Sequence, residues 1–209
     1  MNLSMHYFVR IILIWLLCLL SVLLHELGHA LGYRISAGKA EWKVIAGSGP
    51  RMIGGSKFIF CLIPAGGYFI PEKEPETDKA KILMLAGGPL LSLLLAGLYR
   101  LMHFCVPRFL QPGSSLYEIL LPVSAFLLYF NFFQFLFTAV PVRYRVICRG
   151  LESDGLGIVH ALKHSGTGHS GTGTKAAAGD AAAENAPGGR AAGRVPAGTV
   201  KGFESDVEP

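Results

Sequence analysis

Three blocks of apolar residues constrain this chain more than anything else in it: Ile11–Leu24, residues 82–106 and residues 116–140. The first, IILIWLLCLLSVLL, is uncharged over 14 residues with Ser21 as its polar exception. A helix needs about 20 mostly apolar residues to cross the hydrocarbon of a bilayer, and backbone in lipid has to satisfy its own hydrogen bonds. With 51% of 209 residues hydrophobic and gathered in such blocks, an ordinary soluble domain is excluded. The expected fold class is an α-helical multi-pass membrane protein with spans at about 7–31, 82–106 and 116–140. The first block is as short as the apolar part of a signal peptide and has Arg10 beside it. No small-x-small cleavage site closes it, however, and the later spans require a membrane protein in any case.

The first block runs directly into His25-Glu26-Leu27-Gly28-His29. Residues four apart stack on one face of a helix, so His25 and His29 can grip one metal ion. Two neutral imidazoles leave Zn²⁺ needing a third protein ligand and an open water position. A zinc ion lowers the pKa of bound water to about 7, and Glu26, beside the ligands without being one, is placed to take the proton. His-Glu-x-x-His arises by chance in soluble helices, but ionisable groups at the end of an apolar span are costly and usually functional.

Residues 32–81 change character. Gly38, Gly47, Gly49, Gly54, Gly55, Gly66 and Gly67 punctuate short β-prone pieces, Trp42–Ile45 and Lys57–Ile63, which predicts a small sheet between spans one and two. A strand edge there would pair with an unwound substrate segment, or the strands would simply cap the protein. Residues 72–79, rich in Glu and Lys, read as a solvated loop. In the second span, Gly87-Gly88-Pro89 allows close helix approach or a bend, and Ser92 is suited to a cross-bundle hydrogen bond. His103, beside Arg100, reads as interfacial. Residues 107–115 read as a Pro/Gly turn. In the third span Asn131 and Gln134, one turn apart among phenylalanines, should face protein or substrate backbone. After Pro141, Ser153 or Asp154 would cap a short helix running to about Lys163. Asp154 is alternatively a third metal ligand, with Glu152 the nearest competing carboxylate. Residues 164–209, rich in Gly, Ala, Ser and Thr, cannot bury a core and read as a disordered tail, leaving 1–163 as the membrane core.

The net charge of +5 belongs to loops beside apolar spans rather than to a nucleic-acid-binding face. Lys and Arg concentrate in 32–81 and after the third span, which predicts a cytoplasmic side for both, an outside N-terminus, a cytoplasmic C-terminus and a metal site near the cytoplasmic face. Cys18, Cys61, Cys105 and Cys148 stand singly, in no zinc-ribbon or disulfide pattern, and read as buried thiols. Compact length without organelle signals points to a bacterial plasma membrane.

Four stretches together resemble the site-2 protease family of intramembrane zinc metalloproteases (peptidase family M50): the pentad; Gly47-Ser48-Gly49-Pro50 followed by Ile63-Pro64-Ala65-Gly66-Gly67-Tyr68; Ala86-Gly87-Gly88-Pro89; and the region from Asn131 to Asp154-Gly155. The resemblance covers residues 20–160 and implies a three-helix catalytic core. It also implies one Zn²⁺ held by His25, His29 and Asp154, Glu26 as general base, and hydrolysis of a peptide bond in or beside a substrate's transmembrane segment. Two features depart from the family pattern. Asn131 lies 10 residues before Pro141 and 23 before Asp154, so Asn131 and Gln134 compete for the family asparagine's role. Ser92 stands where the family's Gly-Pro stretch is commonly followed by Asn. No PDZ-like insertion is visible.

The reading that follows is a zinc endopeptidase acting on a transmembrane protein within the lipid bilayer, releasing a membrane-tethered factor, with Asn131, Gln134, Gly88 and Pro89 as candidate substrate contacts. A catalytically idle relative serving as a membrane scaffold is the alternative from another class, and Glu26→Gln separates the two. A zinc transporter or sensor would need more polar residues lining spans two and three than Arg100, His103, Asn131 and Gln134 provide.

Overall fold

A computed structural model describes residues 3–38, 41–143 and 152–167. The elements run α1 (Leu3–Ala37), β1 (Trp42–Gly54), β2 (Phe58–Pro71), α2 (Asp78–Phe109), α3 (Ser115–Ala139) and α4 (Asp154–Thr167). Among the described residues, Met5–Ser36, Asp78–Phe109 and Ser115–Ala139 are long and apolar enough to cross a membrane.

Helix α1 outruns its expected end at Leu31 by two turns. Gly32 does not stop it, because the missing side chain is where α2 passes. A Cβ on Gly32 would lie 2.8 Å from the carbonyl carbon of Leu83 and 2.9 Å from Met84 Cα. The helix closes instead at Gly38, whose φ of +71° suits glycine and whose N–H bonds to Arg34 O at 3.1 Å. One turn before Gly32, Gly28 meets the backbone of Gly87 and Gly88 in the same way. Small residues four apart on α1 thus let α2 come into backbone contact.

Helix α2 starts at Thr77, whose side chain accepts from Ala80 N at 3.2 Å, and α3 at Ser114, which accepts from Tyr117 N at 3.3 Å. Pro89 and Pro107 both lie inside α2. The Pro/Gly turn expected at 107–115 is therefore shorter, because Pro107 removes a single rung close to the helix end, and Gly113, with φ +86°, makes the turn. Cys18, Val123 and Leu127, packed by Leu17, Tyr99, Ile119 and Phe130, form the core where the three long helices meet. His103 Nδ1 lies 3.1 Å from Ser124 Oγ and 3.3 Å from Leu121 O, joining α2 to α3. Cys18 and Cys61 are buried free thiols and Cys105 is half-buried; Cys148 lies outside the described residues.

The strands are longer than the expected pieces. Strands β1 and β2 pair antiparallel as one two-stranded sheet, and Val44, Ile45 and Ala46 have partners on two sides: Phe69, Tyr68 and Gly67, and Phe58, Ile59 and Phe60. Val44 and Ala46 are fully buried as a result. The glycines that look like breaks in sequence are carried inside the strands: Gly47, Gly49 and Gly66 have positive φ and coincide with register shifts. The hairpin also doubles back along α1. Trp15 Nε1 donates to Leu62 O at 2.9 Å, and Trp15 lies about 15 Å along the helix axis from His25.

Helix α4 runs to Thr167, one turn beyond Lys163, and packs against α2 and α3. Residues 168–209, the greater part of the Gly/Ala-rich tail, lie outside the described residues.

Candidate metal centre

His25 and His29 are buried on α1, one turn apart, with their rings edge to face at a centroid distance of 4.9 Å. Each ring is held through Nδ1. His29 Nδ1 lies 2.9 Å from Met84 O, and a carbonyl can only accept, so Nδ1 carries a proton and Nε2 is the nitrogen turned to the centre. His25 Nδ1 lies 2.8 Å from Ser92 Oγ, fully buried on α2. Both anchors come from α2, which the glycine contacts at Gly28 and Gly32 bring within reach. Pro89 has no N–H for the carbonyl of Leu85, so the α2 ladder lacks a rung in the turn next to Met84.

The two Nε2 atoms face each other at 3.3 Å. Asp154, the first residue of α4, brings Oδ2 to 3.4 Å from His29 Nε2 and 3.7 Å from His25 Nε2. The three ligand atoms lie within 4.8 Å of one another, and this is the one such group of His, Cys, Asp and Glu among the described residues. Burial works against charge on Asp154, yet the facing imidazoles outweigh it and hold the carboxyl below the ordinary aspartate range.

Hydrogen bonds distinguish Asp154 from its neighbours. Glu152 turns away, to Arg143 NH2 and to His160 Nδ1 at 3.3 Å, and the Arg143 guanidinium holds its carboxyl below the usual glutamate range. Capping falls to Ser153, whose Oγ accepts from Leu156 N at 3.2 Å, which leaves the Asp154 side chain for the centre.

Backbone forms the walls. A Cβ on Gly88 would lie 2.8 Å from His25 Nε2 and 2.6 Å from His29 Cε1, so the cradle admits no side chain there. Glu26 is buried next to the pair, and a Cβ on Gly67 of β2 would lie 2.6 Å from its Oε1. Phe69, two residues along β2, tilts over His29 at a centroid distance of 6.3 Å and packs edge to face on Tyr33. Two imidazoles and a carboxylate around one point, with a further carboxylate beside them and a glycine floor, are a donor set that fits Zn²⁺.

The family model for peptidase family M50 matches residues 13–189. The chain belongs to that family. This is the site-2 protease family, and membership supports intramembrane metalloprotease function in general terms. No curated protein matches the chain.

The other residues singled out for the site are Asn131, Gln134 and Pro89. Asn131 is fully buried on α3, with Nδ2 donating to Leu127 O at 2.8 Å and to Ser21 Oγ at 3.2 Å. It therefore meets α1 at the residue one turn before His25. The Asn131 Oδ1 and Gln134 Oε1 atoms are buried without a hydrogen-bond partner among the described residues. Pro89 is buried in α2 next to Gly88. Sequence reading did not foresee the anchoring of His29 by Met84 O, since a backbone carbonyl leaves no residue-type signal. Ser92 did carry a signal, a hydroxyl in an apolar span, although not its target.

Proposed function

We propose that this protein is a zinc-dependent endopeptidase that hydrolyses a peptide bond in or beside a transmembrane segment of a membrane-protein substrate, as a step in regulated intramembrane proteolysis. The observation that carries the reading is the convergence of His25 Nε2, His29 Nε2 and Asp154 Oδ2 with the Glu26 carboxylate alongside. His25, His29 and Asp154 would hold one Zn²⁺, which supplies a Lewis acid that activates water and polarises a carbonyl. Ser92 and Met84 keep the imidazoles aimed. Glu26 accepts the proton of the attacking water as the new C–O bond forms. It then passes that proton to the amine nitrogen as the C–N bond breaks, leaving one new carboxyl end and one new amino end.

A peptide bond inside a helix is shielded, so the substrate unwinds before it is cut. The hairpin lies against both α1 and Glu26, and its strands are the proposed edge for an unwound segment. Asn131 and Gln134 are the proposed acceptors for substrate N–H groups, with Gly88 and Pro89 at the floor. All three long helices cross the membrane in this reading, with the N-terminus outside and the metal centre and C-terminus on the cytoplasmic side.

The test is zinc content and cleavage on detergent-purified protein with a single-span substrate. Glu26→Gln is expected to keep one zinc per chain and lose about 10²- to 10⁴-fold in cleavage rate. Undiminished cleavage in that variant removes Glu26 as the base, and wild-type protein without zinc supports the scaffold reading.

A further inference from the structure

Asp154 reaches the imidazoles of α1 from outside the three-helix bundle. It opens α4, after the chain has left α3 at Val140. A ligand delivered from such a segment is only as well placed as the backbone under it, and small errors in that shell loosen a metal site. The residue directly before it is Ser153, a buried side chain with three hydrogen bonds. Its hydroxyl donates to Val140 O at 2.7 Å and accepts from Val142 N at 3.0 Å and Leu156 N at 3.2 Å. Its own N–H bonds to Val142 O at 3.0 Å.

These partners have a common origin. Val140 carries one of the carbonyls left over at the end of α3, and Leu156 one of the N–H groups left over at the start of α4. One hydroxyl therefore caps both helices and ties them together. The contact is close: a Cβ on Gly155 would lie 2.6 Å from the carbonyl carbon of Ala139, so the first turn of α4 rests directly on the last turn of α3. With the tie in place, Asp154 Oδ2 stands 3.4 Å from His29 Nε2.

We infer that Ser153 is a positioning residue for the metal centre: its hydroxyl sets where Asp154 stands, and so how tightly the centre holds Zn²⁺, without contacting metal or substrate. This rests on Asp154 being the third ligand. Replacing Ser153 by alanine leaves every ligand atom in the chain and releases the tie. Groups that orient metal ligands are typically worth about 10- to 100-fold in affinity, and Ser153→Ala is expected to weaken zinc by that much. Ser153→Thr, which keeps the hydroxyl, is expected to stay within about threefold of wild type, and Ser153→Cys, of similar size with a weaker donor, to fall between them.

The experiment is a Zn²⁺ competition titration against a chromophoric chelator on the full chain in detergent, with thermal unfolding measured on the same samples. Ser114→Ala is the control, because it removes the cap of α3 at the opposite end and is expected to lower the unfolding temperature without moving zinc affinity. Wild-type affinity in Ser153→Ala, or equal weakening in Ser153→Ala and Ser114→Ala, overturns the inference. Should the alanine variant fail to fold, Ser153→Cys with wild-type affinity overturns it equally. Adding Ser153→Ala to Asp154→Ala is expected to cost no further affinity, and a full additional loss shows Ser153 acting by another route and also overturns it. Wild-type affinity in Asp154→Ala defeats the three-ligand reading itself, an outcome distinct from failure at Ser153 alone.

Discussion

Ser92 Oγ stands 2.8 Å from His25 Nδ1, so a hydroxyl on α2 orients the imidazole on α1 whose other nitrogen faces Asp154. Serine in an apolar span would otherwise be an unpaired polar group, and here it has a defined partner. Ser92→Ala is expected to retain the fold and weaken zinc about 10-fold, the low end for a group that orients a ligand. Chelator competition on the purified variant checks it, and unchanged affinity would leave Ser92 as packing alone.

Gly88 and Gly97 lie on the same helix in opposite circumstances. A Cβ on Gly88 would run into Nε2 of His25 and of His29, whereas one on Gly97 would meet nothing within 4 Å. Gly88→Ala is expected to push the imidazoles off their positions and abolish stoichiometric zinc. Gly97→Ala should leave zinc unchanged and hold or slightly raise the unfolding temperature, since alanine favours helix by about 1 kcal/mol over glycine. Zinc analysis and thermal unfolding of the pair test both statements, and full zinc occupancy in Gly88→Ala contradicts the geometry of the cradle.

Glu152 is two residues from Asp154 and chemically able to bind zinc, but its carboxylate is engaged by Arg143 and His160. Glu152→Gln is therefore expected to keep wild-type zinc affinity, while Asp154→Asn loses it. A drop in both would mean that Glu152 and Asp154 share the metal.

The proposed role of Asn131 can be tested separately from metal binding. Its amide touches Ser21 and Leu127 rather than the trio, and Oδ1 has no partner among the described residues. Asn131→Leu is close in size and removes that oxygen, so zinc should be unaffected and kcat/KM for a transmembrane substrate should fall about 10-fold, the scale of one hydrogen bond. Full activity in this variant, with Gln134→Leu impaired, would move the acceptor role to Gln134.

Much of the architecture could be read from residue patterns because it is local. Helix period puts His25 and His29 on one face whatever the rest of the chain does, and lipid leaves long apolar blocks little choice but helix. The extents were less legible. The expected first span ends at Leu31, yet the helix runs on through Gly32, on whose bare backbone α2 packs, and Gly47, Gly49 and Gly66 read as breaks between strands when they are bends within them. Pairing between β1 and β2 is non-local, and a glycine alone does not say whether it ends an element or lets one bend.

The sequence by itself determined the family, the three apolar helices and the one-face stacking of two imidazoles with the Glu26 carboxylate beside them, since these depend on composition and on spacing within a single turn. Tertiary structure decided which distant carboxylate turns toward that face. Asp154 and Glu152 are near-equivalent as chemistry, and the choice follows from Ser153 taking the cap, Arg143 engaging Glu152, and α4 landing on the end of α3. It also decided the aim of the imidazoles, because Ser92 Oγ and Met84 O reach them only where glycines let two helix backbones touch. Both outcomes rest on contacts between segments far apart in the chain, whose energies exist only once the helices have packed.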